Sequence, residues 1–172
     1  MWGGKGRLLA QAAGRPEPPA NAYNVGVPTP ASVRFDRSVA DRLARFVAAH
    51  PGLSASAATN MLVDEALRTQ DHPMIVFRDG PAGRRARLIG GPDVWEIAQA
   101  VSSARRAEPG LRTDALVELV TETSGVSERL VRAAVDYWAD YSDEINAWVE
   151  RADVEAAGAE RRWRTERQLL GG

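Results

Sequence analysis

Over 39–69 and again over 94–149, apolar residues return every three or four positions, and the breaks in that rhythm mark the elements. Residues 31–35 alternate instead. Val33 and Phe35 fall on one side of an extended segment, Ser32 and Arg34 on the other. The spacing then predicts a helix capped by Asp36 or Ser38, with Val39, Leu43, Phe46 and Val47 as its stripe. Pro51-Gly52 breaks it, and Ser54 is placed to cap a second helix over 55–69. Ala58, Met61, Leu62 and Ala66, with Val63 and Leu67 to one side, give that helix a broad apolar face. So broad a face on so short a helix predicts burial against more than one neighbour, as in an intertwined dimer.

Asp71-His72-Pro73 punctuates the chain, and a domain boundary is placed there. Residues 74–78 read as a strand, 79–83 as a turn and 84–89 as the returning strand of a hairpin. Gly90-Gly91-Pro92 ends the hairpin, with Pro92 in the first turn of a helix that buries Val94, Ile97, Ala98 and Val101 beside Trp95. Thr113 is placed to cap a helix with the stripe Leu116, Leu119, Val120 and Thr123. After Ser124-Gly125-Val126, Ser127 caps another, with Leu130, Val131, Ala134, Val135 and Trp138 inward. Helix, short glycine-containing turn, helix is a helix-turn-helix outline. From Tyr141 the pattern stays helical to about Leu170, but the stripe thins after Glu150 to Val154, Trp163, Leu169 and Leu170.

The expected fold is mainly α. A strand–helix–helix module at 31–70 precedes a small hairpin and helix-turn-helix domain at 71–150, and a helical arm at 151–172 follows. Residues 1–30, dense in Gly and Pro, are expected to be a flexible arm, with at most one helical turn over 8–13 and Lys5, Arg7 and Arg15 available to phosphate.

Charge divides the chain as the elements do. Residues 1–70 carry eight basic and five acidic side chains; residues 111–172 carry eight basic and thirteen acidic. A basic front half suits phosphate, and an acidic back half suits a protein partner. Without Cys there is no disulfide framework, thiolate metal site or cysteine nucleophile, which fits a reducing cytoplasm. No apolar run approaches the roughly 18 residues of a membrane span, and Leu8-Leu9-Ala10 is too short for a signal-peptide core.

Little points to catalysis. His50 and His72 each sit beside Pro at a helix end, no Cys/His/carboxylate spacing suggests a metal, and no nucleophile–base–orienter set appears. No cofactor is expected. The Arg-flanked Gly80–Gly83 turn lacks the P-loop pattern and is expected to be a plain hairpin turn rather than a phosphate-using enzyme's cradle. In the helix-turn-helix, Glu128, Arg129 and Arg132 are balanced by Asp136 and Asp140, so packing is expected over groove reading.

Ser-Val-Arg-Phe-Asp-Arg-Ser-Val-Ala-Asp-Arg-Leu (32–43), the Gly52-Leu53-Ser54 turn and residues 55–67 resemble the ribbon-helix-helix family of transcriptional regulators. The resemblance implies a homodimer whose paired strands enter the major groove of operator DNA. It puts Ser32 and Arg34 at base edges, and Ser54, Ser56 and the N-terminus of the second helix at a phosphate. Pro30 stands where such strands often carry a third reading residue, so the reading strand is expected to be short.

The run His72-Pro73-Met74-Ile75-Val76-Phe77-Arg78 through Gly90-Gly91-Pro92-Asp93-Val94-Trp95-Glu96 is similar to uncharacterised domains of bacterial antitoxins paired with PIN-like ribonuclease toxins. Tyr137-Trp138-Ala139-Asp140-Tyr141 with Asp143-Glu144-Ile145 adds to the likeness. The Arg84–Gly91 run departs from a glycine- and proline-containing signature of the broader family. Trp and Arg are common interface anchors, so Trp148, Trp163 and the arginines around it, Arg161, Arg162, Arg164 and Arg167, are the candidate toxin contacts, with intramolecular packing expected for Trp148 but not for Trp163. The resemblance implies that an arginine reaches the toxin's acidic metal site and singles out none of them. Together these readings predict a type II antitoxin that also represses its own promoter. The alternative is a free-standing ribbon-helix-helix regulator whose C-terminal domain senses a ligand or oligomerises. A ligand sensor is expected to bury its last helix.

Overall fold

The computed structural model describes residues 32–170. Six helices and one two-stranded antiparallel sheet follow in the order α1 (Arg37–Ala48), α2 (Ala55–Asp71), β1 (Ile75–Gly80), β2 (Gly83–Leu88), α3 (Val94–Ala107), α4 (Thr113–Ser124), α5 (Glu128–Asp140) and α6 (Ser142–Leu170). The mainly helical expectation and the small hairpin are as observed.

The expected N-terminal strand is not. Ala31 lies outside the described residues, and Ser32–Asp36 runs ahead of α1 without a sheet partner. A strand exists only through hydrogen bonds to a neighbour, and the described residues of one chain offer this segment none. Asp36 takes the N-cap position without a side-chain cap bond, and α1 opens at Arg37. Ser54 does cap α2: its Oγ accepts from Ala57 N at 3.1 Å.

The hairpin is tighter than its sequence suggested. Its ladder runs from Ile75 opposite Leu88 to Gly80 opposite Gly83, leaving only Pro81 and Ala82 in the loop. Gly83 has φ +116°, a backbone angle at which an L side chain is strained. Pro92 lies before the helix rather than in its first turn. The cap of α3 is Asp93, in a reciprocal capping box with Glu96. Likewise α4 opens at Thr113, with Arg112 at its N-cap. Gly125, at φ +69°, turns the chain from α4 into α5.

One core joins the hairpin to α3, α4, α5 and the start of α6. Ile75, Ala86 and Leu88 come from the sheet, Val94, Ile97 and Ala98 from α3, and Val117 and Val120 from α4. Val131, Ala134 and Tyr137 of α5 and Ile145 of α6 complete it. Two stripes rotate from expectation. In α4 Val117 is buried, while Thr123 is exposed and donates to Leu119 O. In α5 the fully buried ring is Tyr137, with Val135 and Trp138 only half-buried. The helix-turn-helix therefore packs: α5 is central, touching α3, α4, α6 and both strands.

The α1–α2 pair behaves differently. No residue of α1 is buried, and α1 makes its helix contacts with α2. One side of α2 buries Ala58 and Glu65; the other leaves Val63 and Leu67 at 51% and 60% exposure.

Candidate nucleic-acid and partner interfaces

The exposed side of the helix pair is an apolar groove of about 440 Å³. Phe35, Val39, Leu43 and Phe46 line one wall, and Leu62, Val63, Ala66 and Leu67 the other. These are most of the α1 stripe and part of the broad α2 face, plus one residue of the alternating segment, so much of the side expected to face a core faces an open groove. Val33 is also exposed. Ser32 and Arg34 precede α1 and are exposed. Ser56 is exposed in the first turn of α2, where the backbone N–H groups ahead of Ala57 have no helical acceptor. The Ser54 hydroxyl is already engaged as the cap. Ser32 and Arg34 thus lie on one segment, and Ser54 and Ser56 together at one helix end.

The covered side of α2 is fixed to the rest of the chain by two arginine clusters. Glu65, 8% exposed, accepts a bidentate pair from Arg84 of β2, Nε to Oε1 at 2.6 Å and Nη2 to Oε2 at 2.8 Å. Arg84 Nη1 also donates to Asp79 at 3.0 Å. The Glu65 hydrogen bond is the main reason the Arg84 guanidinium holds its proton more tightly than usual, and it outweighs burial. At the other end of α2, Arg68 Nη1 donates to Glu144 Oε2 at 2.5 Å and to the Tyr137 hydroxyl at 3.0 Å. Its guanidinium lies 4.1 Å over the Tyr141 ring. Arg68 Nε sits 2.8 Å from Asp64 but off the hydrogen-bonding line. Burial alone lowers the Arg68 pKa; Glu144 and Tyr137 reverse that and raise it. Burial likewise pushes the Tyr137 phenol from 10 up to about 12, against the pull of Arg68.

Both histidines belong to this packing. His50 Nδ1 lies 2.7 Å from Phe46 O, and His72 Nε2 lies 3.0 Å from Asp140. The Arg-flanked turn is a hairpin turn whose arginines already hold carboxylates: Arg84 holds Glu65 and Asp79, and Arg85 holds Asp93. On α5, Arg132 pairs with Asp114 and Glu128. Among the described residues no group of His, Cys and carboxylates is arranged to hold a metal ion, and no helix is long and apolar enough to cross a membrane.

The candidate arm continues α6 without a break. Trp148 lies near its base, half-buried, with Arg85 of β2 at 5.4 Å and Arg151 at 4.6 Å from its ring. Beyond Ala152 nearly every residue is exposed, including Trp163 at 54%. At 100° per residue, Val149, Ala152, Ala156, Ala159, Trp163 and Leu170 all fall within about 40° of the direction of buried Ile145. The arm therefore carries the core-facing stripe outward past the end of the core. Arg167 stacks 5.0 Å from the Trp163 ring at the edge of that stripe, Arg164 pairs with Glu160 at 2.5 Å, and Arg161 and Arg162 are exposed.

The Glu65–Arg84 and Arg68–Tyr137–Glu144 clusters were invisible in sequence. Each arginine lies 19 to 76 residues from the partners named here, and no local spacing signals such pairs. The Ala152–Ala156–Ala159 part of the α6 stripe was present in sequence, but alanine marks a face too weakly to be picked out in a polar segment. Comparison with protein-family models, with curated proteins and with solved structures finds no match for this chain.

Proposed function

We propose that the chain is the antitoxin of a type II toxin–antitoxin pair: a dimeric, DNA-binding autorepressor that neutralises a PIN-like ribonuclease toxin through its C-terminal region. The observation that carries this reading is the open α1–α2 groove, with the alternating segment 32–35 at its edge. A second copy supplies both missing partners: a strand to pair with this segment and a pair of helices to fill the groove. Pairing turns Val33 and Phe35 inward and Ser32 and Arg34 toward a major groove, which admits a two-stranded ribbon. The N-terminus of α2, with Ser54 and Ser56, is an anion-binding end suited to phosphate.

The arm supports the second half of the reading. An exposed helix with an alanine floor and one large aromatic beside arginines suits a groove on a protein, where Trp and Arg act as anchors. A free-standing ligand sensor is expected to bury its last helix, and α6 buries only Ile145.

The two halves are tested separately. Arg34→Ala is expected to weaken binding to DNA upstream of the reading frame by about 1–3 kcal/mol, some five- to 150-fold, while growth rescue against the toxin is retained. Truncation after Glu150 is expected to do the reverse. Unchanged operator affinity at fixed salt removes the ribbon assignment, and rescue by the truncated chain removes the arm assignment.

A further inference from the structure

The hairpin has an outer face that the proposed function leaves unused. Ile75, Ala86 and Leu88 turn into the core, so alternation turns Val76, Arg78, Arg85 and Arg87 the other way. Arg87 stands opposite Val76, and Arg78 stands opposite Arg85. Like charges directly opposed on a ribbon repel. The structure relieves this by drawing Arg85 aside to Asp93 and over Gly80, where a Cβ would come within 2.8 Å of Arg85 Nη2. Asp93 thereby answers Arg85. It lies 3.9 Å from Arg87, whose Nε donates to Gly91 O at 2.8 Å. Arg78 makes no ion pair among the described residues. Arg78 and Arg87 are both exposed, and with Val76, Ile89, Gly90 and Gly91 they border a shallow groove of about 470 Å³. At the open end of the hairpin a third exposed arginine, Arg129, reaches Met74.

We propose that this outer face is a second DNA contact, with Arg78 and Arg87 binding the phosphate backbone of a duplex outside the base-reading ribbon. A small anion needs enclosure, which this open groove does not provide. A linear polyanion meets separated surface cations one after another, and each neutralised phosphate releases counterions. Set on a shallow open face outside the base-reading ribbon, these two cations meet phosphate rather than base edges, so their contribution is independent of sequence. The inference rests on the DNA-binding reading above.

The test measures duplex binding by the full chain across a series of salt concentrations, with the upstream promoter fragment and a random duplex of equal length. The Arg78→Ala/Arg87→Ala variant is expected to lower the slope of log affinity against log salt by about 2 for each chain that contacts the duplex, so by about 4 for the dimer, on both duplexes, with the promoter-to-random ratio unchanged. Arg78→Lys/Arg87→Lys is expected to keep the wild-type slope. Arg34→Ala is expected to reduce the promoter-to-random ratio instead. An alanine variant with the wild-type slope overturns the hairpin contact while a promoter preference lost with Arg34→Ala leaves the DNA reading standing. A hairpin face that serves an acidic protein gives that same unchanged slope. Failure of the wild-type chain to bind either duplex overturns both.

Discussion

The helix pair α1–α2 and the helix trio α3–α5 carry apolar stripes of similar density, yet only the trio closes. In the trio each stripe meets another across a shared core, and the sheet covers the remaining side. In the pair, Val39, Leu43 and Phe46 face Leu62, Val63 and Leu67 across an open groove, because no third element among the described residues reaches them. Amphipathicity records that a face is to be covered and is silent on what covers it. The same contrast recurs within α6, whose one stripe is core at Ile145 and solvent-facing at Trp163.

The largest break in this comparison comes from the closed region. Tyr137→Ala removes a fully buried ring and the hydroxyl that accepts from Arg68. It is expected to destabilise the chain by about 3–5 kcal/mol in chemical denaturation, with α2 loosened along with the core. A smaller loss follows at alkaline pH. The Tyr137 phenol has a folded pKa raised from 10 to about 12, so burial favours its neutral form. That contribution is complete below pH 10 and is lost as pH rises through about 12. Denaturation midpoints measured across that window are expected to fall, and the Tyr137→Phe chain is expected to lose less than the wild type over the same window. The smallest effect on stability belongs to the open region. Leu67→Glu, at a position 60% exposed, is expected to change single-chain stability by no more than about 0.5 kcal/mol.

Legibility in the sequence followed the same division. All six helices and the hairpin could be placed from period and punctuation, because Pro51-Gly52, Asp71-His72-Pro73 and Gly90-Gly91-Pro92 break the chain where the elements end. The inward register was harder. The polar tip of Tyr137 disguises a core ring on α5, and Arg68, from a distant helix, satisfies that tip in the core. Thr123 stands at the spacing of a core position, but its hydroxyl is satisfied one turn back on the helix surface. Alternation places Ser32 and Arg34 on one side of the segment, and only the family resemblance makes them ribbon candidates. Their geometry depends on a second strand, which no pattern within a single chain supplies.

Closure of the α1–α2 groove on a second copy of the same chain is decided by analytical ultracentrifugation at low micromolar concentration, comparing wild type with Leu67→Glu. A wild-type mass near twice 18.6 kDa and a Leu67→Glu mass near 18.6 kDa with unchanged helical content are expected. A wild-type chain that sediments at 18.6 kDa, or a Leu67→Glu chain that remains at twice that mass, contradicts that closure.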